Sequence, residues 1–144
     1  MSKYLLYIIL FSLFGCNRYN PEKDVEGRWA TQSVYYKNNE MLADVTKYGV
    51  IISGRKLIFY NDETVLLPVK DVDIFGNYHI DKEKKIISIN SSPEEYFNQN
   101  FTYEMGLEEE DSMNKLKTYY LELISVDSTV YIYSERIVSR NEFY

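Results

Sequence analysis

One cysteine, one histidine, one tryptophan and three prolines stand among 144 residues, and the scarcity of the first two closes off several classes of protein. A lone cysteine has no partner for an intramolecular disulfide, so the fold must be held by its core. One histidine and one cysteine do not supply the ligand set of a nitrogen-and-sulfur metal site. The six glycines fall in no phosphate-cradling or dinucleotide-binding pattern. Glu108, Glu109, Glu110 and Asp111 form an acidic run, but it lacks the spacing and the glycine of a calcium loop. No serine lies in a Gly-x-Ser-x-Gly elbow. His79 and Asp81 share one strand face, opposite Tyr78 and Ile80, where solvated surface is the expected role. No metal, cofactor or catalysis is therefore expected.

The chain also lacks a long apolar run. Residues 4–14 are apolar apart from Ser12, but this run of 11 residues is short of the roughly 20 that a membrane-spanning helix needs. With Lys3 before it and the small Gly15 after it, the run has the form of a bacterial secretory leader. Leu13-Phe14-Gly15-Cys16 resembles the lipobox of bacterial lipoproteins, in which a cysteine is acylated on sulfur and becomes the first residue after cleavage. The resemblance implies cleavage after residue 15, palmitate on Cys16, and a lipid bilayer as partner. It implies a place in the bacterial cell envelope, most simply the outer membrane, facing periplasm or medium. Two or more acyl chains hold a protein stably where one does so marginally, since each buried methylene contributes about 0.8 kcal/mol.

Removal of residues 1–15 takes away one lysine and no acid, leaving 129 residues with 15 basic and 22 acidic side chains, a net charge of −7. Such a charge disfavours nucleic acid as a partner. The length suits one domain. Fifteen tyrosines and seven phenylalanines favour strands over helices.

Residues 17–26 are polar, contain Pro21 and show no apolar periodicity, so they read as a flexible tether carrying Glu22, Asp24 and Glu26. A first strand is predicted from Gly27 to Tyr36, with Trp29, Thr31, Ser33 and Tyr35 on one face by period two. Residues 37–47 read as a loop. Further strands are predicted over 49–52, 56–60, 64–69, 77–81, 85–90, 101–105, 118–126 and 129–137, with Asn61-Asp62, residues 82–84 and Asp127-Ser128 as turns. Pro68 should end its strand or hold it at an edge. Ser92, Pro93 and Glu95 signal the start of a helix of one or two turns. Residues 106–115 read as an acidic, mobile rim. Eight or nine antiparallel strands must hide their edges, and closure into a barrel removes them.

Gly27-x-Trp29 at the head of the first strand, a run of antiparallel strands and Arg136 in the last one together resemble the lipocalin pattern, and more closely the lipocalin-like domains of small bacterial lipoproteins. The resemblance implies an all-β fold: a single antiparallel up-and-down β-barrel of about eight strands over residues 27–144, following the leader (1–15) and the lipidated cysteine with its tether (16–26). It implies that Trp29 plugs the closed end with an arginine across its ring, Arg136 or, failing that, Arg140. An inward set of Ser33, Tyr35, Phe59, Tyr78, Phe101, Tyr103 and Tyr119 suits a small hydrophobic or amphipathic ligand, and suits a packed core equally. The function implied is ligand binding without catalysis. The rival is a protein-binding module of the envelope, an inhibitor, immunity protein or assembly accessory, whose acidic residues 108–111 favour a basic partner.

Replacement of the acylated residue tests the leader directly. A Cys16→Ser protein grown with labelled palmitate should carry no label, and a labelled product would refute acylation at this position.

Overall fold

The computed structural model describes residues 20–36, 40–41, 56–69 and 72–139. The leader, Cys16, the strand predicted over 49–52 and Arg140 lie outside the described residues. Within them the chain folds into nine antiparallel strands: β1 (Gly27–Tyr36), β2 (Glu40–Met41), β3 (Lys56–Phe59), β4 (Thr64–Leu67), β5 (Ile74–Asp81), β6 (Ile86–Asn90), β7 (Asn100–Asp111), β8 (Leu116–Ser125) and β9 (Val130–Ser139). Each of β3 to β8 pairs with the next, β1 pairs with β3, and β9 returns to β1. The result is a closed eight-stranded up-and-down barrel, with the two-residue β2 appended where its Met41 and Glu40 face Tyr35 and Tyr36.

Alternation of side chains fills this barrel. Leu121 and Leu123 of β8 and Val130 and Ile132 of β9 point inward and are fully buried, as are Ile87 and Ile89 of β6. Pro68 stops β4 at Leu67, consistent with its missing amide. Aspartates close the hairpins. Asp81 Oδ1 accepts the Lys84 amide at 3.0 Å, Asp111 Oδ1 accepts those of Met113 and Asn114 at 3.0 and 3.1 Å, and Asp127 Oδ1 accepts that of Thr129 at 3.0 Å. All three carboxyls are held below their ordinary range: Asp81 by the Lys84 amide, Asp111 by the Asn114 side chain and then its amide, and Asp127 by the hydroxyls of Thr129 and Ser125 and then the Thr129 amide.

Four expectations are corrected. The acidic residues 108–111 are not a loop: β7 runs to Asp111 because β8 supplies ladder partners, Thr118 opposite Glu109 and Lys117 opposite Glu110, after a bulge at Leu107/Glu109. The predicted helix has the expected length of one turn, but it is a 3-10 turn over Glu95–Phe97 that starts after Ser92 and Pro93, with Glu94 in the capping position. There the Asn98 side chain clasps both backbone groups of Ser92 at 2.8 Å and the Ser92 hydroxyl accepts the Glu94 amide, which fixes a tight loop and buries Phe97. The strand predicted from residue 77 begins at Ile74, where the β4 ladder gives it a partner in Leu67.

The fourth correction concerns the tether. Residues 20–26 are a strap folded across the mouth of the barrel. Pro21 and Val25 are buried, and the Trp29 indole donates to the Val25 carbonyl at 2.7 Å. Arg136 lies with its guanidinium carbon 3.8 Å from the centroid of Trp29. Its Nε donates to the carbonyl of Arg28, and its two terminal nitrogens donate to those of Pro21, Asp24, Val25 and Glu26, over 2.7–3.3 Å. All five guanidinium donors are thereby used. The Tyr119 hydroxyl donates to Glu22 at 2.7 Å, Lys117 lies 3.6 Å from the same carboxylate, and Lys82 lies 3.2 Å from Asp24. The tyrosine hydrogen bond, followed by the lysine charge, lowers the Glu22 pKa. Polar composition suggested solvent, but what holds the strap is its backbone carbonyls, which composition does not show.

Trp29 is fully buried, so Trp29→Ala should cost about 3 to 5 kcal/mol. Urea unfolding of the domain measures this, and an unchanged midpoint would show that the ring does not plug the barrel.

Candidate functional site

The interior is the first place to seek a site, since the sequence places an aromatic set there. The structure divides that set. A bulge between Thr31 and Ser33 inserts Gln32 as an extra residue. It shifts the alternation of β1 by one, so that Trp29, Thr31 and Val34 are buried while Ser33 and Tyr35 are not. The inward assignment of Ser33 and Tyr35 is therefore corrected, and Tyr35 packs outside the barrel on Tyr131, ring centroids 6.0 Å apart. Phe59, Tyr78, Phe101 and Tyr119 do face inward, and Tyr103 packs half-buried at the edge of the core. Phe59 and Tyr78 meet edge to face at 4.9 Å. Phe101 and Phe59 keep only 0% and 1% of their surface, and Leu57, Leu121, Leu123 and Ile132 keep 0%. Side chains lining a cavity large enough for a ligand would present surface to it. These do not, so the described part of the lumen is a packed core.

Polar groups at the strap end form a shallow cleft of about 290 Å³ lined by Glu26, Asn61, Glu63, Tyr78, His79 and Ile80. The Tyr78 hydroxyl donates to the Tyr60 carbonyl at 2.7 Å. Burial, then the charges of Glu26 and Glu63, push its pKa up to about 12. His79 stands exposed with its Nδ1 3.9 Å from Glu63, and Asp81 serves the neighbouring turn. The pair expected to be surface is at the surface.

The outer wall of β7, β8 and β9 has a different chemistry. Cross-strand register sets Gly106, Tyr120 and Glu135 in one row, Glu104, Glu122 and Tyr133 in the next, and Thr102, Ile124 and Tyr131 in a third. Tyr35 continues the third row onto β1. Gly106 makes room for an aromatic ring: a Cβ there would lie 3.0 Å from Cε1 of Tyr120. That ring in turn lies nearly parallel to Tyr133, at 10° and 6.4 Å. The β7 bulge turns Glu108 toward the same wall, where it accepts the Tyr133 hydroxyl. Gln32, the bulge residue of β1, donates to Glu135 at 3.2 Å.

Four tyrosines and four glutamates thus share one face, and none of the three rows contains a lysine or arginine. Glu104 and Glu122 stand directly opposite each other, a pairing of like charges that costs stability in a sheet. The electrostatic consequence is visible in the tyrosines. Burial, then a hydrogen bond to Glu122, raises the Tyr131 pKa to about 12. Burial, then a hydrogen bond to Glu108, raises that of Tyr133. Burial and the charge of Glu108 raise the Glu135 pKa. Among the described residues these rows carry ring faces and carboxylates and no cation, a surface chemistry that suits lysine or arginine through cation-π contacts of about 0.5 to 2 kcal/mol each and charge-assisted hydrogen bonds. The sequence carried a signal for it in the alternation Tyr120-x-Glu122 and Tyr131-x-Tyr133-x-Glu135, the complement of the inward positions.

The fold and this wall define an all-β closed barrel with a filled core and an acidic aromatic flank. No family model matches the chain, and no curated protein matches it. Among solved structures it is similar to the crystal structure of a DUF4847 family protein from Bacteroides vulgatus ATCC 8482, at 17% identity and a TM-score of 0.40, over 76% of this chain and 91% of that one.

The raised pKa of Tyr131 has a testable sign. The fold favours the neutral phenol, so its stabilising contribution is complete below the ordinary value of 10.0 and is lost as the pH rises through about 12. In an alkaline titration followed by NMR of the tyrosine ring carbons, Tyr131 should ionise late. Glu122→Gln should move it down toward the ordinary value. An unmoved midpoint would dissociate the two groups.

Proposed function

We propose that this chain is a lipid-anchored, lipocalin-like barrel of the bacterial cell envelope that binds a protein partner through its outer tyrosine–glutamate wall and carries out no chemical step. The anchoring part of this reading is supported by the leader over residues 1–15 and by Cys16 in its lipobox-like setting. The binding part is carried by one observation: four carboxylates and four tyrosines on the flank of β7–β9 and β1 with no cation among their rows. Tyrosine is the side chain that protein interfaces use most readily for contact area at low entropic cost. Its partner on this wall is a basic segment that presents lysines or arginines to ring faces and carboxylates.

The small-ligand reading draws less support, because Phe59, Phe101 and Tyr119 are seated in the core and Ser33 and Tyr35 are outside it. The acidic residues 108–111 keep their proposed preference for a basic partner, through Glu108 on the wall.

Calorimetric titration with a ten-residue lysine- and arginine-rich peptide tests the reading against a glutamate-rich control. The basic peptide should bind, with an affinity that falls as salt is raised, and Glu104→Gln/Glu122→Gln should weaken it at least tenfold. Equal binding of both peptides, or an unaffected double variant, would refute the proposed wall.

A further inference from the structure

The strap decides which end of the barrel can approach a membrane. Asn20 begins the described chain at the mouth where β1, the β5–β6 turn, β8 and β9 bring Trp29, Lys82, Tyr119 and Arg136 together around residues 20–26. Cys16 is only four residues earlier, and four residues of fully extended chain span about 14 Å at most. The ten-residue strands β8 and β9 rise about 3.3 Å per residue and in a closed barrel tilt by roughly 40° to its axis, which puts the opposite end of the barrel roughly 23 Å away. A lipid on Cys16 therefore reaches the strap end and not the far one, so long as the strap stays docked.

We propose that the strap end of the barrel is the face that meets the bilayer, with the Val126–Thr129 turn and the Glu95–Phe97 loop pointing away from it. This rests on the reading of Cys16 as acylated. The geometry supplies the rest: four hydrogen bonds from Arg136 to carbonyls of residues 21–26 hold the strap against the barrel. The surface at this end fits an interface of lipid headgroups. Met113, at the tip of the β7–β8 turn, is 90% exposed. Lys23, Lys84 and Lys115 stand exposed on the strap and the adjoining turns. Long-stemmed cations and a flexible apolar tip suit a boundary that is apolar on one side and wet on the other. Asp62 and Glu83 at the same end make a mixed rather than basic surface, so a zwitterionic bilayer is the fitting partner. The tyrosine–glutamate wall then stands upright beside the membrane, open to a partner arriving from the side.

The full-length acylated lipoprotein, reconstituted in phosphatidylethanolamine–phosphatidylcholine vesicles that contain spin-labelled lipid, provides the test. A fluorophore is placed at Met113→Cys in one sample and at Val126→Cys in another, since Val126 is 64% exposed at the opposite end. The acylated Cys16 does not react with the label. The probe at 113 should be quenched at least threefold more than the probe at 126. Equal quenching, or stronger quenching at 126, in protein that floats with the vesicles would overturn the orientation while leaving the anchor intact. Protein that fails to float would overturn the anchor and the orientation together.

Discussion

A single guanidinium holds the two ends of this chain together. Arg136 sits in the last strand, 7% exposed, and burying a charge so deeply costs several kcal/mol unless its donors are satisfied. The five carbonyls that satisfy them belong to residues 21–28, a segment with little regular structure and so with carbonyls in need of donors. Each side resolves the other's deficit. The ring of Trp29 completes the arrangement, with the cation 3.8 Å above its face and its indole nitrogen on the carbonyl of Val25. Without the arginine, the strap would keep the indole hydrogen bond to Val25, the burial of Pro21 and Val25 and the Tyr119 hydrogen bond to Glu22, while its ion pairs from Lys82 and Lys117, partly exposed, contribute little.

The barrel separates two chemistries by the period of its strands. Inside, the described aliphatic and aromatic side chains close on one another and keep almost no exposed surface. Outside, on β7 to β9, the alternate positions gather tyrosines and glutamates whose mutual pairing is incompletely compensated. Protein surfaces tolerate such an arrangement at a cost in stability, as where Glu104 stands opposite Glu122. The bulges at Thr31/Ser33 and Leu107/Glu109 belong to the same design. One brings Gln32 to Glu135 and the other brings Glu108 to Tyr133, so each irregularity delivers a polar group to the wall.

Much of the strand order was legible from alternation and turn residues, because a hydrophobic period of two and an aspartate at the turn are local signals. Leu121, Leu123, Val130 and Ile132 could be placed inward from sequence for that reason. Trp29 and Arg136 were legible only as a pattern shared with other chains. A bulge leaves no local mark, so Ser33 and Tyr35 were assigned to the wrong face. The docking of the strap is not legible locally, because it depends on backbone acceptors and a donor that is 110 to 115 positions away. The length of β7 was missed because its acidic outer half looks like a loop until β8 is laid beside it. The outer wall was readable in principle from Tyr120, Glu122, Tyr131 and Tyr133, as the positions left over once the core is assigned.

The seam of the barrel joins β1 to β9, the first long strand to the last. Closing a loop of about 108 residues costs on the order of 4 kcal/mol in chain entropy before any contact offsets it. The first strand therefore waits, through the emergence of all the others, for the residue that will cover its tryptophan. A growing chain of this topology can pair β1 with β3 early, but its sheet keeps two open edges and its tryptophan stays uncovered until β9 and Arg136 are made, and a chain so loosely held is one that can be threaded through a narrow pore.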